Sequence, residues 1–331
     1  MNNVRNHYFD FLRGFAIIMV VGIHSMKGVN SDLSTITSTA YVCLRMLLNC
    51  AVPIFLAISG YFIASKYSRR SMDYSALLRK QIPKVYIPCL LFSLPYFVMT
   101  IKDGESSYIA SFSYFFLCGF SVYYFIALII QCYLLAPLLT RFNKLGGVII
   151  CALISACSII TISYLQKCTD VDLPLIIYAG PSPVWIVFFM MGVYFSTHNR
   201  DYRIVGPLLL IAVGMALQII EHKYWLSQGQ AALGIKLSSF IFSAGAVWLL
   251  FCKKIENSYS DSFGFKTVNW IGGMSFGIYL IHCFVILAIN HIMPTSGWIA
   301  TWILVVCICS LTIWMTRLVL SDKILYHIGF N

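Results

Sequence analysis

Residues 9–26 read FDFLRGFAIIMVVGIHSM, an apolar stretch long enough to cross a bilayer as a helix, with a charged pair at its start and a histidine near its far end. Arg13 and His24 are eleven helical steps apart. At 100° per step this is three turns plus about 20°, so both side chains leave nearly the same face, roughly 16 Å apart along the axis. Asp10 stands one turn before Arg13, at the spacing where a carboxylate holds a guanidinium. Ionisable groups inside a membrane are costly enough to mark function, which makes Asp10, Arg13 and His24 the first candidates. The charges at its base and the lack of a small-residue cleavage site mark the run as a retained helix, not a signal peptide.

The rest of the chain is of the same kind. Of its 331 residues 60% are hydrophobic and 11% charged, a composition that no water-soluble domain of this size carries on its surface. The chain reads as one all-α, polytopic membrane domain over residues 1–331, with no separate soluble domain. Ten spans are expected, at about 9–27, 39–65, 85–102, 121–141, 145–165, 183–198, 203–221, 232–252, 268–292 and 298–320. The aromatic run Tyr108–Cys118 reads either as an interfacial segment or as part of a longer tilted helix. Eleven of the twelve cysteines lie within apolar runs and only Cys168 in an expected external loop, so no disulfide is expected.

The net charge of +11 raises nucleic acid as a partner, but the cations fall in short clusters between apolar runs, as in loops that orient a membrane protein. With the N-terminus inside, seventeen of the 23 Lys and Arg fall on the inner side, Arg5 among them. Only Lys27, Lys102, Lys167, Lys223 and Lys236 fall outside, with the acidic Asp103, Glu105, Asp170 and Asp172, and Arg45 remains within a span. Both termini are therefore expected in the cytoplasm.

On this topology Arg45 reaches the depth of His24, and it shares a face of the second span with Asn49 and Ser59. The ninth span aligns Ser275, Tyr279 and His282 at i, i+4 and i+7. His282 reads either as a packing residue satisfied by neighbouring helices or as a partner to the site. His7, His198, His222, His291 and His327 read as terminal or loop residues with solvated roles. No Cys/His grouping has metal-ligand spacing, so no metal is expected. Between the second and third spans, KYSRR and LLRKQIPK form a basic loop that includes Arg69, Arg70, Arg79, Lys80 and Lys84. It serves either topology alone or an anionic phosphate. Pro83 and Pro88 are expected to break the helix there, which at membrane depth is tolerated mostly around a cavity.

These residues resemble the acyltransferase family 3 membrane proteins, which move acetyl or other acyl groups onto cell-surface sugars. YFDFLRGFAIIMVVGIHS is similar to the family's first helix, PIFLAISGYFIASK at 53–66 to its second-helix signature, and MSFGIYLIH at 274–282 to a late segment ending in histidine. YYFIALIIQCYLLAPLL at 123–139 and FFMMGVYF at 188–195 match more weakly. Gln81 and Lys84 stand where the family commonly has Arg-x-x-Arg, and Val122-Tyr123-Tyr124 where it has His-x-Trp. The resemblance implies acetyl-CoA or another acyl-CoA as donor, a glycan or lipid-linked sugar as acceptor, no bound cofactor, and a multi-pass place in a bacterial inner membrane. It implies His24 as general base or acyl carrier, Arg13 for donor phosphate or oxyanion charge, and Asp10 to orient Arg13. Arg79, Lys80, Lys84 and Ser59 are implied at the donor; Arg45, Ser275, Tyr279 and His282 contact the acceptor or support the histidine. The reading of a different class is a polysaccharide exporter or proton-coupled transporter. An inverted repeat and a mid-span acid, which would favour it, are not evident.

Overall fold

The computed structural model describes residues 6–26, 33–70, 73–104, 107–169, 173–198, 200, 203–230, 233–259 and 262–331, without the side chains of 67–70, 163, 165 and 167. Arg5, Lys27, Glu105, Asp170 and Asp172, and the side chains of Arg69, Arg70 and Lys167, thus lie outside the described residues. All the described regular structure is helical: α1 His7–Ser25, α2 Ile36–Leu48, α3 Ala51–Arg70, α4 Tyr74–Asp103, α5 Tyr108–Phe116, α6 Tyr124–Arg141, α7 Leu145–Ile159, α8 Leu165–Thr169, α9 Leu175–Tyr178, α10 Ser182–Thr197, α11 Val205–Ser227, α12 Leu237–Phe251, α13 Lys253–Asn257, α14 Phe263–Gly272, α15 Ser275–Ile292, α16 Trp298–Val319 and α17 Asp322–Ile328. Among the described residues, eight helical stretches are long and apolar enough to cross a membrane. The expected spans at 183–198 and 232–252 are α10 and α12, apolar but only 16 and 15 residues long.

Two expected spans are each divided. The second is α2 and α3, separated by a turn at Asn49–Cys50. Pro53 has no N–H for the Asn49 carbonyl four residues back, and its ring crowds that carbonyl, so the helix is interrupted one turn before the proline. Arg45 and Asn49 remain together, hydrogen-bonded through their side chains, while Ser59 lies beyond the turn on α3. The ninth is α14 and α15, separated by the turn at Gly273–Met274, where two successive glycines weaken the helix.

The basic loop, by contrast, is helical. α3 runs to Arg70 and α4 begins at Tyr74, so Arg79, Lys80 and Lys84 stand on α4, which continues through Pro83, Pro88 and Pro95 without ending. Over 30 residues the loss of three backbone bonds is absorbed by the remainder of the ladder. Tyr108–Phe116 is a helix of its own, packed on α4 through Phe97, whose ring lies 5.0 and 4.9 Å from those of Phe112 and Phe115.

Two packed units emerge: residues 1–59 with 197–312, and residues 60–196 with 313–331. In the first, α1 packs against α14, α15 and α2, and α11 pairs with α12. α11 is inside-out: Leu209, Val213, Ile220 and Tyr224 are exposed while Gln218 and His222 are fully buried. Lipid accepts the apolar face and leaves the polar one to the protein interior. In the second unit α4 packs against α5, α6 and α17. There Gly60 meets the Phe189 carbonyl of α10, where a Cβ would come within 2.1 Å.

Candidate active site

The site in the first unit is built on α1. At its start Asn6 caps the helix, its side chain accepting from the Tyr8 N–H. Asp10 is buried and its carboxylate lies 2.8 Å from Arg13 Nη1, as the spacing requires. This turn is where α14 crosses. A Cβ on Gly14 would fall 1.9 Å from the Val268 carbonyl oxygen, and one on Gly272 would fall 1.8 Å from that of Asp10. Backbone therefore lies on backbone, which only two glycines permit. The chain then turns at Gly273–Met274 and starts α15 at Ser275, three residues after the glycine that meets Asp10.

Three further contacts hold the far half of α1. Trp302 donates from Nε1 to the Ile18 carbonyl at 2.7 Å, and its ring covers Gly22. Tyr41 donates its hydroxyl to the Met26 carbonyl, also at 2.7 Å. His24, in the last turn, faces His282 of α15 with ring centroids 5.3 Å apart. His282 is fully buried, and its Nδ1 lies 2.7 Å from the Tyr279 carbonyl and 3.2 Å from that of Ile278. A carbonyl only accepts, so Nδ1 carries the proton and Nε2 of the neutral ring keeps its lone pair. The Tyr279 ring packs 6.1 Å from that of His282, and Ser275 is buried at the first position of α15. One end of α1 thus carries a carboxylate–guanidinium pair, the other an imidazole beside a second imidazole of defined tautomer. The base at one end suits proton transfer, and the guanidinium, roughly 16 Å away along the axis, suits an anionic group of a long substrate.

A model of the acyltransferase domain matches residues 6–318. The chain belongs to the acyltransferase 3 family. It is a multi-pass membrane acyltransferase. Comparison with curated proteins and with solved structures returned no match.

Other residues anticipated for the acyltransferase fall in separate places. Arg45 donates to the Asn49 side chain, and Asn49 in turn reaches Gln218 of α11. Ser59 is half-buried on α3. Arg79, Lys80 and Lys84 belong to the second unit: Arg79 donates to Ser75 at 3.0 Å, Lys80 is exposed, and Lys84 Nζ lies 5.7 Å from the Tyr326 ring centre. Asp73 caps this helix; its hydrogen bonds from Ser75 hold the carboxyl below the ordinary range.

Sequence reasoning missed the polar interior of α11 and α12. His222, expected in a loop, is fully buried, because α11 extends to Ser227. Lys236, counted among outer loop cations, is buried too, with Nζ donating to the Gln218 carbonyl at 3.3 Å. Glu221 accepts from Trp225 Nε1 at 3.3 Å and from the Ser238 hydroxyl. The signal was present: Gln218, Glu221 and His222 at i, i+3 and i+4 form a polar face opposite an apolar one.

Proposed function

We propose that this acyltransferase moves an acetyl or other acyl group from acyl-CoA to a hydroxyl of a cell-surface glycan, such as O-antigen or exopolysaccharide, from a bacterial inner membrane with both chain termini in the cytoplasm. The observation that carries the reading is the placement of His24 beside His282, on the helix that holds the Asp10–Arg13 pair at its other end. Neutral His24 takes the proton of the acceptor hydroxyl as that oxygen attacks the thioester carbonyl. The new C–O bond forms, the C–S bond breaks, and the imidazolium returns its proton to the departing thiolate. Transfer through an acyl-imidazole on His24 balances equally, the hydroxyl then attacking that intermediate. Arg13, held by Asp10 and roughly 16 Å along the helix from His24, offers positive charge to donor phosphate.

Family membership supports acyl transfer over export or proton-coupled transport. The test is the acyl content of surface polysaccharide from cells with and without the gene. Loss of ester groups at an unchanged amount of polymer is expected. Loss of surface polymer with intact acylation would favour export.

A further inference from the structure

The orientations of three side chains at the α2–α3 break follow from one another. A guanidinium only donates, so the Asn49 atom that meets Arg45 Nη1 is its oxygen. The other Asn49 atom is then the amide nitrogen, which donates to Gln218 at 3.4 Å, so the Gln218 atom facing it is Oε1. Gln218 therefore turns its Nε2, a donor of two protons, away from Asn49. Its side chain is 0% exposed, and Nε2 has no acceptor among the described residues. A buried donor left without an acceptor loses its hydration for nothing in return, and such a group in a native fold calls for a missing partner. On the other side of Gln218, Asn49 stands at the turn between α2 and α3, where Pro53 gives its carbonyl no helical N–H. Interrupted backbone at membrane depth belongs where it is buried in protein or lines a substrate path.

We infer that Gln218 binds the acyl acceptor, its Nε2 donating to an uncharged hydroxyl or amide-carbonyl oxygen at the contact between α2 and α11. The inference rests on the proposed transfer to a glycan. Arg45 and Asn49 are positioning residues here: they set which end of Gln218 faces the acceptor. A hydroxyl or an amide carbonyl suits the place, since either accepts from Nε2 without bringing a charge into a buried site.

The test compares wild type with Gln218→Met, close in volume and without the amide, and with Gln218→Asn, which keeps the amide on a shorter arm. The donor is labelled acetyl-CoA, and the acceptor is surface polysaccharide from the expressing cells freed of its esters by mild alkali. For Gln218→Met the KM for polysaccharide is expected to rise about 3- to 10-fold, with the KM for acetyl-CoA unchanged and the protein as heat-stable as wild type. Gln218→Asn falls between the two and covers the case in which the methionine variant does not accumulate. An unchanged polysaccharide KM with lowered heat stability would assign Nε2 to a structural water and overturn the inference. Wild-type protein that transfers no label sinks the glycan reading itself. In that case stabilisation of wild type by the polysaccharide, lost in Gln218→Met, still supports the binding role, and equal melting shifts overturn it.

Discussion

The imidazole of His24, in the last turn of α1, lies against that of His282, two turns into α15, with ring planes tilted by 50° and centroids 5.3 Å apart. Tyr279 fixes the proton of His282 on Nδ1, so the ring presents an accepting edge towards its neighbours. If His282 acts by steadying His24, the two substitutions are not additive. His24→Ala is expected to lower kcat by about 100- to 10,000-fold while the protein still accumulates in the membrane. His282→Ala should lower it about tenfold alone and not at all on top of His24→Ala. Full transfer activity in His24→Ala would remove that residue from the chemistry.

The Asp10–Arg13 pair separates charge from shape. Lysine keeps the charge of Arg13 but loses the planar fork that meets a carboxylate or phosphate through two donors. Arg13→Lys is expected to retain about a tenth of wild-type kcat/KM, and Arg13→Ala none that can be measured. Asp10→Asn leaves the guanidinium charged and replaces its ion pair by a weaker neutral hydrogen bond, and should raise the KM for acyl-CoA more than it lowers kcat. Equal activity of Arg13→Lys and wild type would show that charge alone suffices.

How much of this could be read in advance depends on whether the signal was periodic or depended on a neighbour. The Asp10–Arg13 spacing and the shared face of His24 are periodic properties of one helix, and α1 reproduces them. The segment ending in His282 was likewise legible, but its pairing with His24 needed the path of α15, which begins only after the turn at Gly273–Met274. Pro53 was visible, and the interruption at Asn49–Cys50 follows from its chemistry, yet hydropathy alone joins α2 and α3 into one run. Pro83 and Pro88 of α4 mislead in the opposite sense, because a long ladder tolerates them. His222 was hidden by boundary error: a span ended at residue 221 hands the following turn to a loop, where a polar residue needs no explanation, whereas α11 runs on to Ser227.

The crossing of α1 and α14 depends on the absence of two side chains. A methyl on Gly14 or Gly272 would overlap a carbonyl oxygen of the other helix at under 2 Å. The helices must then part, which moves Asp10 and Arg13 from α14 and disturbs the start of α15. Each of Gly14→Ala and Gly272→Ala is expected to destabilise the protein by about 1–3 kcal/mol, seen as lower accumulation and a lower melting temperature in detergent. Phe15→Ala, on an exposed neighbour, should change neither. An unaltered melting temperature in both glycine variants would mean that the crossing is looser than backbone contact.

Glu256 ties the start of α1 to the segment after α12. Its carboxylate lies 2.8 Å from buried Arg200 and 3.1 Å from Lys253, and it accepts from Asn6 at 3.4 Å. Burial alone would raise its pKa, but the hydrogen bond from Lys253 and the charge of Arg200 outweigh it and hold the carboxyl below its ordinary value of 4.5. A carboxyl that is more acidic when folded contributes stability that is complete above the unfolded pKa and is lost as pH falls through the folded one. The melting temperature of the detergent-solubilised protein is therefore expected to fall as pH drops below about 4.5, more steeply in wild type than in Glu256→Gln. At pH 7 Glu256→Gln should melt lower than wild type, and the two curves should converge in acid. Parallel curves over that range would show that the ion pairs of Glu256 add nothing to folding.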